Sequence, residues 1–222
     1  MKIHGKHRVK SRLLQGWGPV QPLVAPPLST DGWSWTNQGG AAVEDQYHWA
    51  TRALWFNAPA AAGDNLRVRH RALPAAPYTI KAEFAPLMAS AAGAGELPLA
   101  GLCWREDATG EIYTVAIAAN GDNSGKLMFR IDRWTSATVF SANMVSNFAD
   151  ALMVKGGVSL WLADDNTDRR VSYSVDGVNE ILLWTEVRTT FLTADQYGLV
   201  LNADSATYPV SMTLRSLEVT QP

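Results

Sequence analysis

Short runs of alternating apolar and polar residues, separated by turn-forming clusters, dominate the chain from Asp31 onward. In LRVRHRAL the alternation sets Leu66, Val68, His70 and Ala72 on one face and Arg67, Arg69 and Arg71 on the other. In YTIKAEF it sets Tyr78, Ile80, Ala82 and Phe84 against Thr79, Lys81 and Glu83. A period of two is that of a half-buried strand. The same reading predicts strands over Leu99 to Arg105, Ile112 to Ala118, Lys126 to Trp134, Val158 to Ala163, Arg170 to Val175, Tyr197 to Asn202 and Val210 to Val219. Between them Asp107 to Gly110, Asn120 to Gly125, Asp164 to Asp168 and Asp176-Gly177 have the composition of hairpin turns. Helix is expected only over Asn147 to Val154 and Thr193 to Gln196, and the Ala- and Gly-rich stretch from Ala85 to Gly95 is expected to be a loop. The sum is an all-β, antiparallel two-sheet sandwich over residues 31–222.

Residues 1–30 read differently. Gly16, Gly18, Pro19, Pro22, Pro26 and Pro27 interrupt them, and no period of 2 or 3.6 is sustained. Proline fixes φ and removes a donor, so an extended arm is expected there. Its first twelve residues carry Lys2, Lys6, Arg8, Lys10 and Arg12 and no acid. Removing those five from the 19 Lys and Arg leaves 14 against 21 acids, so the net charge of -2 conceals a basic arm on an acidic body. Such an arm suits attachment to an acidic protein surface or a solvated tail better than nucleic acid. The crowded Trp33, Trp35, Trp49 and Trp55 share their segment, up to Phe56, with a single base, Arg52, which disfavours a nucleic-acid stacking platform; they are expected to close the sandwich.

Composition adds bounds. At 47% hydrophobic and 18% charged the chain is expected to fold around a core. No apolar run reaches the roughly 18 residues of a membrane span, and no signal-peptide pattern follows the basic start. Cys103 is the only cysteine and sits in an apolar run, which points to packing rather than reactivity.

The stretch from Tyr78 to Val219 resembles the concanavalin A-like lectin/glucanase jelly roll, the superfamily that includes laminin-G-like and legume-lectin-like modules. The resemblance is carried by YTIKAEF, by AGLCWREDATGEIYTVAI from Ala100 to Ile117, by SLWLADDNTDRRVSYSVDG from Ser159 to Gly177, by QYGLVLNA from Gln196 to Ala203 and by the closing VSMTLRSLEV. It implies a jelly roll in which Gly101 and Gly198 start strands that pack closely together. A basic, proline-containing arm joined to such a sandwich also looks like an accessory structural protein of a tailed bacteriophage. That layout implies a non-enzymatic virion protein on capsid or tail, assembled in the host cytoplasm. It further implies a homo-oligomer, with other virion proteins held through the arm and a host-surface glycan as a possible ligand.

Candidate chemistry is sparse. A retaining glycanase needs two carboxyl groups about 5 to 5.5 Å apart, and no run of alternating carboxylates supplies them. Glu106, Asp107 and Glu111 flank a turn instead. A hydrolase is therefore the least favoured reading, after a free-standing carbohydrate-binding module. Asp164, Asn166 and Asp168 have the 1, 3, 5 spacing of calcium ligands, but Arg169 and Val175 stand where such a loop wants glycine and glutamate, so a hairpin turn is the plainer reading. His4, His7, His48 and His70 show no zinc spacing, and no cofactor is expected. Strand parity leaves Arg130, Asp132 and Trp134 off the core face of one strand and Trp161 off that of another. An indole beside Arg and Asp suits stacking on a sugar ring; it equally suits packing beneath a loop or against a second subunit.

Overall fold

The computed structural model describes residues 32–38, 45–48, 53–88, 93–123, 126–148 and 157–222. The arm, with Lys2, Lys6, Arg8, Lys10 and Arg12, and the greater part of the helix expected over Asn147 to Val154 lie outside them. Fourteen strands form two antiparallel sheets. In chain order they are β1 (Ser34–Thr36), β2 (Asp45–His48), β3 (Ala53–Ala58), β4 (Arg67–Ala72), β5 (Tyr78–Met88), β6 (Leu99–Arg105) and β7 (Ile112–Asn120), followed by β8 (Lys126–Ser136), β9 (Val139–Phe148), β10 (Val158–Asp164), β11 (Asp168–Ser174), β12 (Ile181–Val187), β13 (Gln196–Asn202) and β14 (Val210–Thr220). Sheet A has the order β1-β4-β13-β6-β7-β8-β9, and sheet B the order β12-β11-β10-β5-β14-β3-β2.

The two-sheet sandwich is the expected one, with local corrections. Ala85 to Met88 continue β5 instead of opening a loop, and β14 pairs with β5 along its whole length apart from one bulge. Asn147 and Phe148 end β9 rather than starting a helix. Thr193 to Gln196 is not helical either, because Gln196 opens β13 and the Leu73 amide takes the Asp195 carbonyl. Of the tryptophan-rich segment, the described strands lie at the sheet edges, β1 at that of sheet A and β3 and β2 at that of sheet B; Trp33 is buried, Trp55 is exposed, and Trp49 lies outside the described residues. Trp33 packs edge-on against Tyr197, with centroids 5.6 Å apart.

The main core lies between the sheets. Sheet A contributes Leu102, Trp104, Tyr113, Val115, Ile117, Phe129, Ile131 and Leu199, and sheet B contributes Phe56, Ile80, Phe84, Leu160, Leu162, Val171 and Met212. Burying each such side chain is worth about 1.5–3 kcal/mol. A second apolar cluster sits on the outer face of sheet A, made of Leu66, Val68, Leu99, Cys103, Ile112, Ala116, Ala118, Met128, Trp134, Ala137 and Val200. Sheet A is thus covered on both sides, and every residue of β6 is buried.

This double cover corrects the reading of LRVRHRAL. Its two faces are assigned rightly, but Val68 and His70 point to the outer cluster while Arg67 and Arg69 are buried on the side facing sheet B. Arg69 lies over the Trp35 ring, 5.2 Å from its centroid, and Arg67 donates to the Asn37 carbonyl at 2.6 Å. A guanidinium is tolerated inside when its donors are used and its plane stacks on an aromatic ring.

Candidate functional site

One cross-strand row on the outer face of sheet A gathers the polar groups that strand parity keeps off the main core. Following the register from edge to edge, it runs Ser34, His70, Gly198, Cys103, Thr114, Asp132 and Asn143. The row on one side of it contains Val68, Val200, Gly101, Ala116, Arg130 and Ser146, and the row on the other contains Ala72, Gln196, Arg105, Ile112 and Trp134. Gly101 and Gly198 do not start their strands but lie inside β6 and β13, where they hold the middle of this surface. A Cβ on Gly101 would stand 2.1 Å from the Val115 carbonyl oxygen, and one on Gly198 would stand 2.3 Å from that of Arg69. Only glycine lets the neighbouring backbone come so close.

Three of the four residues singled out by parity meet here. Arg130 donates to Asp132 through Nε (2.9 Å) and a terminal nitrogen (2.7 Å), and the Asn143 side-chain amide adds a third bond to Asp132 at 2.7 Å. The ion pair is buried, with Asp132 at 1% exposure, so its charges are matched within the protein. Trp134 is not an open platform. It is 3% exposed, donates from its indole nitrogen to Thr114 Oγ1 at 3.2 Å, and packs edge-on against Phe140. The fourth residue, Trp161, belongs elsewhere. It faces outward from sheet B, where Lys81 Nζ lies 4.7 Å from its ring centroid and donates to the Gly177 carbonyl.

The outer face of sheet A is roofed by its own far hairpin. β4 and β8 stand four strands apart in the sheet order, roughly 19 Å if the sheet were flat. Yet the Leu66 amide donates to the Ala137 carbonyl at 2.8 Å, and the Phe140 amide to Asp64 Oδ2 at 3.2 Å. Three register shifts between β8 and β9, at Ile131/Asp132, Arg133/Trp134 and Trp134/Ser136, supply the bend. They lay Trp134 and Ala137 over the sheet they belong to.

At the end of the face beside β1 and β4, the polar groups are less fully used. His70 Nε2 shares a 2.9 Å hydrogen bond with Thr36 Oγ1. Arg105 donates to Asp107 Oδ1 at 2.6 Å and to Gln196 Oε1. The Asp107 amide in turn donates to Asp195 Oδ1 at 2.9 Å. Burial, seconded by the nearby Arg105 guanidinium, holds the His70 imidazole below its ordinary pKa, with Asp107 and Asp195 pulling the other way. Asp107 is held below the carboxylate range by its bond to Arg105. Cys103 is fully buried, and burial pushes its thiol up to about 12. None of Thr36, His70, Arg105, Thr114, Gln196 or Asn143 stands out in the sequence, because their convergence depends on a register spanning seven strands.

The acidic turn over Asp164 to Asp168 does not gather its carboxylates. Asp164 Oδ1 accepts from the Asn166 amide, and Asp164 Oδ2 lies 3.0 Å from Arg188 Nε. Asp165 Oδ1 accepts from the amides of Thr167 and Asp168. Among the described residues no group of three or more His, Cys, Asp or Glu side chains is placed to hold a metal ion.

No protein-family model matches the sequence, and neither does any curated protein. Solved structures do match. A functionally unknown protein from Saccharomyces cerevisiae is 12% identical, with a TM-score of 0.56 over 86% of this chain and 97% of that one. The legume lectin-like domain from Entamoeba histolytica is 11% identical, with a TM-score of 0.54 over 93% and 99%. A glycoside hydrolase family 16 endo-glucanase from Bacteroides ovatus is 12% identical, with a TM-score of 0.53 over 87% and 96%. At these identities the likeness is one of fold: the chain has the jelly-roll sandwich found in a legume lectin-like domain and in a glucanase.

Proposed function

We propose that the protein is a non-catalytic glycan-binding sandwich that recognises sugar on the outer face of sheet A and is carried on a virion by its N-terminal arm. The end of that face beside β1 and β4, clear of the β8–β9 roof, carries the first half of the reading. It brings together the Thr36 hydroxyl, the His70 imidazole, the Arg105 guanidinium and the Gln196 amide beside an apolar surface, the mixture that fixes a polyhydroxylated ring. Lectin-like and glucanase neighbours of the same fold support it by analogy.

The non-catalytic part rests on the carboxylates. Asp132 is the one carboxylate on the seven strands of sheet A, and Arg130 and Asn143 already engage it. Glycoside hydrolysis asks for two. The virion part rests on the arm, whose five bases and absence of acid in the first twelve residues suit docking onto an acidic assembly.

A glycan array tests the binding half, with Ala72→Trp as the control. Ala72 is exposed at the end of β4 and pairs with Gln196, so an indole there blocks the face without entering either apolar cluster. The wild type is expected to bind, and the variant to lose that binding at unchanged near-UV circular dichroism. Equal binding by the variant would remove this face as the site, and turnover of any bound glycan would restore the hydrolase reading.

A further inference from the structure

Two buried polar atoms on the proposed binding face lack a partner. His70 Nε2 is engaged by Thr36, but Nδ1 has no hydrogen-bond partner. Arg105 spends a terminal nitrogen on Asp107 and Gln196, but its Nε–H has no acceptor. The residues are 6% and 8% exposed, so bulk water does not readily supply what is missing. A buried polar group left unpaired is costly, and native folds seldom leave two together without a use for them.

The two atoms belong to one place. His70 pairs with Gly198, and Arg105 pairs with Gln196, two residues earlier on the intervening strand β13. Gly198 has no side chain, so nothing from β13 stands between them at that level. Arg105 is also near enough to act on the charge of His70.

Local charge selects the kind of ligand. The corner holds one guanidinium, bonded to Asp107, and two carboxylates, Asp107 and Asp195, joined by the Asp107 amide and both near enough to act on His70. An anionic ligand would meet that excess of negative charge. A hydroxyl carries no charge, accepts from an N–H and donates to a lone pair, so it satisfies Arg105 Nε–H and also His70 Nδ1 in either tautomer.

We infer that the corner formed by His70, Arg105 and Gln196 is a subsite for the hydroxyl groups of a neutral sugar, and that Asp107 and Asp195 turn away sugars bearing carboxylates. The inference rests on the reading of the outer face of sheet A as the glycan-binding face. Arg105 Nε–H donates to one hydroxyl oxygen, and the same hydroxyl or its ring neighbour meets His70 Nδ1. Thr36 and Gln196 act as positioning residues, one orienting the imidazole and the other the guanidinium.

Calorimetric titration of the full chain with cellotetraose, xylotetraose, laminaritetraose and tetragalacturonate tests this. At least one neutral tetrasaccharide is expected to bind and tetragalacturonate to bind at least tenfold more weakly. Arg105→Lys, which keeps the charge and loses the Nε–H, and His70→Asn are each expected to weaken the neutral ligand about tenfold or more. Because either variant could misfold, imidazole 15N resonances of the wild type give a second readout, with His70 identified by its loss in His70→Asn. The Nδ1 resonance is expected to move on adding the neutral sugar. An unmoved resonance, undiminished binding by both folded variants, or equal binding of tetragalacturonate overturns the subsite while leaving a glycan-binding protein. Binding of none of the four sugars removes both.

Discussion

Cys103 shows how little a residue's type says about its chemistry until its surroundings are known. Its thiol lies between Gly198 and Thr114 in the polar row, yet it packs into the outer apolar cluster and is wholly shielded. Burial raises its pKa from 9.0 to about 12, so the native state holds the proton over a range in which the unfolded chain releases it. The sign follows from linkage: the stabilisation is complete below pH 9 and is lost as pH rises from there toward 12. Burial also lifts the phenols of Tyr78 and Tyr113, which therefore add to the same alkaline loss. Urea midpoints measured between pH 7 and 10.5 are expected to fall for the wild type and to fall less steeply for Cys103→Ala. In the native state the thiol should resist disulfide reagents until the chain unfolds, and rapid native labelling would contradict the shielding. The sequence anticipated the packing role of Cys103 from its apolar neighbours. It could not anticipate His70 and Arg105, whose meaning comes from atoms left unpaired across β13.

Strands that alternate cleanly were legible, and strands that bend were not. β5, β10 and β14 show period two because one face is core and the other is not. β9 contributes Val139, Phe140 and Met144 to the surface, and its bulged pairing with β8 scrambles the period, so VFSANMVSNF gives no clear signal. β12 fails for a related reason: ILLWTEV is an edge strand whose pairing with β11 slips between Val171 and Ser172. Parity placed Trp134 off the main core, but not whether the ring is open or roofed. The β8–β9 hairpin supplies that answer by folding its tip over the sheet. If Trp134 seals the roof, Trp134→Ala should cost about 3–5 kcal/mol of stability, read by chemical denaturation. Trp161→Ala, at a half-buried outward position on sheet B, is expected to cost less than half as much. Comparable losses would mean that the hairpin tip is not a structural seal.

At the scale of the molecule, the sheets are joined at one end by polar as well as apolar contacts. Arg133 of sheet A donates to Glu186 of sheet B and to the Tyr113 hydroxyl, which itself donates to Glu186. Nearby, the Trp104 indole donates to the Tyr78 hydroxyl at 2.9 Å across the same interface. Such bonds fix how the layers sit and leave apolar burial to supply most of the stability. The described strands from β1 to β14 account for this sandwich among themselves. Deleting residues 1–30 is therefore expected to leave the β-type circular dichroism intact; on the proposed reading it also leaves glycan binding and abolishes incorporation into purified virions. Incorporation at the wild-type level would separate the arm from attachment.

The glycines of the outer face bear on how relatives of this chain are to be found. At 11–12% identity, overall residue matching has almost nothing to hold. Positions 101 and 198 differ from the rest because a neighbouring strand's carbonyl occupies the space of any side chain. A homologue with the same curl of sheet A should keep both glycines even where every aromatic has drifted. Two glycines on strands adjacent in the sheet but nearly a hundred residues apart in sequence make a sparse search key, one that backbone geometry enforces and the ligand does not.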